Sequence, residues 1–157
     1  MRASSRPGPS EQVLTGVRDR VSAETASRDA SPPMWPWSYR VAGAKSTWPA
    51  VEVYEAGTLL DVVSSTKLGA PVARGARTVR LDAGGRALAW GRLPVDGDLP
   101  VVEFSRGRLR SVRERVTPIQ VTSWCWLAIA EGRYDAVTVR SAGGVVRRRL
   151  RMSRSCR

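Results

Sequence analysis

From Trp48 onward, short apolar segments alternate with turn signals, and this spacing constrains the fold more than any other feature. Glycine, proline and aspartate mark turns at intervals of roughly 8–12 residues, which is typical of antiparallel β-proteins. Apolar and polar residues alternate within several segments, as in Thr78–Asp82, where Val79 and Leu81 would face a core. The predicted strands are residues 51–55, 59–63, 78–82, 86–93, 101–105, 119–130, 134–140 and 145–151.

The 157 residues fit one domain. We expect an all-β domain over residues 48–152, a β-sandwich or flattened barrel of about 7–9 short antiparallel strands. Residues 1–47 are expected to form a flexible arm, with a marginal helix suggested by the spacing of Val13, Val17 and Val21. Residues 153–157 would form a basic tail. A second interpretation is that the native chain begins at Met34.

Two segments carry less regular patterns. Ile119–Ala130 is predicted to be one long central strand covered on both faces, with Cys125, Leu127 and Ile129 on one side and Trp124 and Trp126 on the other. Arg108–Val116 has apolar residues at Leu109, Val112 and Val116, a spacing that fits a helix or a strand with a bulge. The sequences Thr78–Gly85 and Thr138–Gly144 both indicate a strand entering a Gly-Gly hairpin turn.

The composition excludes several classes of site. The chain has no histidine, which removes Ser-His-Asp and Cys-His catalysis and His-ligated zinc. Its two cysteines, Cys125 and Cys156, cannot form a Cys-x-x-Cys redox pair or a four-cysteine metal site. No metal or other cofactor is therefore expected. The longest apolar run, seven residues from Trp124 to Ala130, is far shorter than the ~20 of a membrane helix. We expect a cytoplasmic protein with reduced thiols and no membrane partner.

The positive charge is concentrated at the C-terminus. Basic residues outnumber acidic ones 26 to 14, giving a net charge of +12, and 24 of the 26 are arginine. Residues 140–157 hold seven arginines and no acid. One interpretation is that the arginine excess reflects a GC-rich genome; the other is that it contacts an anionic partner, because the guanidinium fork binds phosphate and carboxylate bidentately.

The last predicted strand provides the candidate anion-binding surface. Arg147, Arg149 and Arg151 would share one strand face at steps of ~6.6 Å, a stripe that could follow a phosphate backbone. The same charges could instead protect a sheet edge from pairing with other chains. The full candidate set is Arg140, Arg147, Arg149, Arg151, Arg154, Arg157, Arg108 and Arg110.

Tryptophans form the second candidate set. Trp124, Trp126, Trp35 and Trp37 could build an exposed aromatic platform that stacks bases. The alternative is that these rings pack in a core, which we favour because large aromatic side chains usually bury most of their area.

Together these patterns predict a non-enzymatic binding module for an anionic macromolecule, with nucleic acid slightly preferred over acidic protein. The alternative is a small structural or regulatory protein that docks on another protein through the tryptophan-rich N-terminal segment. A third class is a hydrolase using carboxylates such as the Asp96–Asp98 or Glu52–Glu55 pair. The spacing of Asp96 and Asp98 around Gly97 is more typical of a turn.

Overall fold

A computed structural model describes residues 36–43, 45, 47–66, 71–81, 84–107 and 112–153, which all belong to one compact unit, Pro33–Arg157. The described residues form twelve strands and no helix. The strands are β1 (Trp37–Ala42), β2 (Ala50–Glu55), β3 (Thr58–Ser64), β4 (Gly75–Leu81), β5 (Gly84–Arg92), β6 (Val101–Arg106), β7 (Val112–Val116), β8 (Ile119–Thr122), β9 (Cys125–Glu131), β10 (Ala136–Ser141), β11 (Gly144–Arg149) and β12 (Arg151–Met152).

The strands form three sheets. Their orders are β1-β2-β3, β11-β10-β6-β7 and β12-β4-β5-β9-β8. Every pairing is antiparallel except that of β12 with β4, which is parallel. The fold among the described residues is therefore all-β and sandwich-like, with no closed barrel.

Two apolar cores place the five-stranded sheet between the other two. One core joins Ala87 and Ala89 of β5 to Val102 and Phe104 of the four-stranded sheet. The second core joins the alternate residues of β5, Leu88 and Trp90, to valines of the three-stranded sheet such as Val51, Val53 and Val63. Because successive residues of a strand face opposite sides, the five-stranded sheet is the middle of three layers.

The chain passes between the four- and five-stranded sheets at both of their edges. At one edge β7 leads through Thr117 and Pro118 into β8, and at the other β11 leads through Leu150 into β12. These two short connections hold the edges of the two sheets close together on either side of their shared core. They also place the arginine-rich end of the chain at a corner where two sheets meet.

Several boundaries differ from the predictions. The all-β region begins at Trp37 rather than at residue 48, because Trp37, Tyr39 and Val41 alternate towards the second core. Residues 119–130 form two antiparallel strands, since the chain turns at Ser123 and Trp124. The ambiguous segment contributes β7, a strand, and the strands number twelve rather than about 7–9. The helix predicted near the N-terminus lies outside the described residues.

Candidate anion-binding surface

The outer side of the four-stranded sheet carries a group of arginines that we call the cationic face. On β11, Val146 packs against the inner core, so the alternate residues Arg147 and Arg149 point outward. On β10 the buried Val137 and Val139 leave Arg140 on the outer side. The cationic face comprises Arg113, Arg115, Arg140, Arg147 and Arg149, and all five are exposed.

Strand register brings these side chains together. Arg147 lies opposite Thr138, and Arg113 lies opposite Ser105 on the neighbouring pair of strands. They border a shallow depression of about 400 Å³ that is also lined by Arg140 and Glu103. Glu103 forms an ion pair with Arg113 at 3.5 Å. The exposed Asp135 borders a neighbouring depression with Arg147, so the five positive charges of the face have two carboxylates beside them.

Three of these arginines have no carboxylate partner in the described part of the chain. Arg140, Arg147 and Arg149 make no ion pair with any described residue. No ion pair therefore neutralises these three guanidinium groups, and the excess of positive charge on the face attracts anions. The structure places three of the predicted residues, Arg140, Arg147 and Arg149, on one surface.

Other predicted members lie elsewhere. Arg151 is not part of the outward stripe, because the backbone leaves the four-stranded sheet at Leu150 and Arg151 pairs with Arg77 of β4. Arg108, Arg110, Arg154 and Arg157 lie outside the described residues. Arg113 and Arg115 lie in the segment whose spacing fitted a helix or a bulged strand, and their assignment to the same face required knowing that β7 joins this sheet.

The tryptophans of this set that the structure describes do not form an exposed platform. Trp126 is 0% exposed and Trp37 is 3% exposed, and they belong to different cores. The indole nitrogen of Trp126 donates to the carbonyl oxygens of Val72 at 3.1 Å and Arg92 at 2.9 Å. Because Trp37 is buried in its core, it could contact a protein partner, as the docking alternative requires, only by leaving that core.

The remaining tryptophans are separated from these two. Trp124 lies at the turn between β8 and β9, so it packs against the opposite core from Trp126 instead of sharing its side. Its indole donates to the carbonyl of Val63 at 3.4 Å. Trp35 lies outside the described residues. Packing in the cores, the interpretation favoured from the sequence, accounts for Trp37 and Trp126.

The carboxylate of Asp61 is held by local partners. Asp61 accepts hydrogen bonds from Arg74 at 2.6 and 2.8 Å and from the indole of Trp90 at 2.9 Å. Burial raises the pKa of Asp61, but the hydrogen bonds from Arg74 and Trp90 outweigh it and leave the pKa below its ordinary value. This carboxylate is therefore an ionised structural group rather than a general base.

Three of the four carboxylates considered for hydrolysis also have local partners. Hydrogen bonds from Tyr54 and then Arg40 lower the pKa of Glu52, and Glu55 accepts a bond from the Trp37 indole at 3.1 Å. Asp96 accepts the backbone N–H of Asp98 at 3.1 Å, as a turn requires. Within the described ranges, no group of three or more Cys, Asp or Glu side chains could hold a metal ion.

Cys125 is a buried thiol on β9. Its side chain faces the core shared with the three-stranded sheet. Burial, followed by the nearby Asp61 charge, raises the pKa of Cys125 to about 12. A thiol in this environment is not a nucleophile at neutral pH. Cys156 lies outside the described residues.

Among the residues that the structure describes, there is no helix with the length and apolar character needed to span a membrane. The cationic face is the most distinctive candidate site on the described surface, and its function is inferred from its geometry. No protein-family model matches the chain, and neither the curated proteins nor the solved structures compared with it gave a match.

Proposed function

We propose that this protein is a non-enzymatic binding module that contacts an anionic macromolecule, preferably nucleic acid, through the cationic face. The observation that carries the proposal is the convergence of Arg140, Arg147 and Arg149 on one sheet surface without a described carboxylate partner. An arrangement of this kind leaves guanidinium donors available to an external anion.

A repeating polyanion fits the face better than a single small anion. The arginines come from three strands, β7, β10 and β11, so the charge is spread across the sheet instead of converging on one point. Side chains on one strand face recur at ~6.6 Å, and neighbouring strands lie ~4.8 Å apart. A nucleic-acid backbone offers phosphates in succession, and the planar guanidinium fork matches their geometry.

Contact is expected through phosphates rather than bases. Trp37 and Trp126 are buried, so neither ring is available for stacking. Phosphate contacts fix the position of a nucleic acid without reading its sequence. We therefore expect binding with little sequence preference.

Edge protection is a second role supported by the position of β11. This strand is at the edge of the four-stranded ladder, where charged side chains discourage pairing with other chains. Both roles use the same residues, but only polyanion binding requires a partner.

The alternative to nucleic acid as the anionic partner is an acidic protein segment.

The test is equilibrium binding of a fluorescent 20-nucleotide single strand, with polyglutamate as competitor. Arg147→Gln is expected to weaken binding about threefold to fivefold, the effect of losing an exposed ion pair worth up to ~1 kcal/mol. The matched control is Arg40→Gln, which removes the same charge from the outer side of the three-stranded sheet, where Arg40 pairs with Glu52. Equal effects of the two variants, or preferential displacement by polyglutamate, would contradict the assignment to nucleic acid.

A further inference from the structure

A second cationic concavity lies at the edge of the five-stranded sheet and shares one residue, Arg149, with the cationic face. It has a volume of about 460 Å³ and is bordered by Asp61 of β3, by Arg77 of β4, and by the last arginines of the chain, Arg148, Arg149 and Arg151. We call it the edge pocket. Residues of all three sheets border it, because β3 is an edge strand and β11 crosses into β12 at this corner.

The edge pocket has an excess of positive charge. Its one bordering carboxylate, Asp61, is already matched by Arg74 through two hydrogen bonds. The other four bordering arginines are Arg77, Arg148, Arg149 and Arg151. Arg77 and Arg151 are register partners on the parallel strands β4 and β12. Like charges placed opposite each other on neighbouring strands are destabilising, and a bound anion would remove that repulsion.

Arg148 supplies an independent observation. It lies on the inner side of β11 together with Val146, whereas Arg147 lies on the outer side, because side chains alternate along a strand. Its Nε is buried and has no hydrogen-bond partner among the described residues. A buried donor on a charged group is costly to leave without an acceptor. The side chain that carries this donor borders the pocket, which is where an acceptor would come from.

The pocket is larger than an inorganic anion needs, and part of its wall is apolar. Leu60 and the ring of Trp90 border it beside the arginines. Gly75 lies beneath that ring, since a Cβ at this position would come within 2.1 Å of the indole. The volume is in the range of pockets that hold small organic ligands. The pocket therefore suits a small ligand that has both a multiply charged group, to contact the arginines, and an organic group, to contact the apolar wall.

We propose that the edge pocket binds a small phosphate monoester. A phosphate monoester carries nearly two negative charges at neutral pH and three acceptor oxygens, which suits a pocket bordered by four arginines besides Arg74 better than a single carboxylate does. The organic part of the ester would lie mainly against Leu60, because Trp90 is only 2% exposed. This site goes beyond the proposed function, because Arg149 is its only member in common with the cationic face.

The binding test uses calorimetric titration of the full chain with ribose 5-phosphate, ribose and inorganic phosphate at constant ionic strength. We expect one saturable site for ribose 5-phosphate, weaker binding of inorganic phosphate and none of ribose. Arg77→Gln should weaken ribose 5-phosphate binding at least tenfold, as expected for a charge-assisted hydrogen bond. Arg140→Gln, on the cationic face, should change it less than twofold. Absence of saturable binding, inorganic phosphate binding as tight as the ester, or equal losses in both variants would overturn the proposal.

A stability measurement separates ligand binding by Arg148 from a structural role. Arg148→Met replaces the buried guanidinium with an apolar chain of similar length. We expect the Tm of the unliganded protein to stay the same or rise, and the increase in Tm caused by ribose 5-phosphate to disappear. A lower Tm without ligand, or a retained ligand-dependent increase, would overturn the role of Arg148. Oligonucleotide binding, which depends on Arg140 and Arg147, is expected to be unchanged in this variant, so failure of this proposal is distinguishable from failure of the proposed function.

Discussion

Adjacent arginines on β11 have different surroundings. Arg147 is exposed on the cationic face, whereas Arg148 points inward and its Nε is buried. The alternation that separates them is predictable from the sequence, because a strand has a period of two. The edge pocket is not predictable, because it depends on β11 lying beside residues of β3 and β4 that are far away in the chain.

Asp61 gives a prediction about pH dependence at the scale of one side chain. Because its folded pKa is lowered, its contribution to stability is complete above the ordinary value of about 4 and is lost as the pH falls through the folded pKa. Asp61→Asn removes this contribution and should lower the free energy of unfolding by about 1–3 kcal/mol at pH 7. Urea unfolding of both proteins at pH 7 and pH 3 measures the effect.

The difference between wild type and Asp61→Asn should be smaller at pH 3 than at pH 7, because at pH 3 the carboxylate of the unfolded chain, with an ordinary pKa of about 4, is largely protonated. Asp98→Asn, in an exposed turn, is the control and should change the free energy of unfolding by no more than about 0.5 kcal/mol. A difference that stays constant with pH would show that the ion pair with Arg74 does not stabilise the fold.

At the scale of elements, β5 and β9 define the middle layer because both of their faces are buried. On one face they present alanines such as Ala87, Ala89 and Ala128, and Trp126 is the one large ring among the residues of β9 on this face. On the other face they present Leu88, Trp90 and Leu127. The sequence predicted this two-sided burial for β9 from its continuous apolar run.

Trp126 should be a large single contributor to the stability of this layer. Trp126→Phe removes the indole donor shared by two carbonyl oxygens and leaves unfilled space, so we expect the free energy of unfolding to fall by about 2–4 kcal/mol. Trp48→Phe is the matched control, because Trp48 is 65% exposed, and should cost less than about 0.5 kcal/mol. Chemical denaturation measures both, and similar losses would contradict the assignment of Trp126 to the core.

Hairpins were more predictable than strand lengths. The two similar Gly-Gly sequences form the β4–β5 and β10–β11 hairpins, and Gly84 and Gly144 occupy the equivalent position with φ of 147° and 124°. Residues 119–130 were predicted as one strand because the polar Ser123 is a weak turn signal beside two tryptophans. The turn forms because it lets Val121 and Trp124 both pack against one core.

At the scale of the whole unit, the arginine-rich end of the chain supplies two surfaces. Composition and local alternation predicted an all-β fold and a cationic last strand, and the structure confirms the fold and the outward position of Arg147 and Arg149. Which strands join which sheet could not be predicted, because strand order depends on contacts distant in sequence. Because of that strand order, Arg113 lies near Arg140 on the cationic face, whereas Arg151 lies beside Arg77 at the edge pocket.

The most direct test of the central claim is the salt dependence of oligonucleotide binding. For a single strand, the logarithm of the association constant falls with the logarithm of salt concentration by ~0.7 per phosphate contact. The account predicts a steep slope for wild type and a slope shallower by about two in the Arg140→Gln, Arg147→Gln, Arg149→Gln triple variant, with Arg40→Gln unchanged. Binding that is insensitive to salt, or a triple variant with the wild-type slope, would contradict nucleic-acid contact through the cationic face.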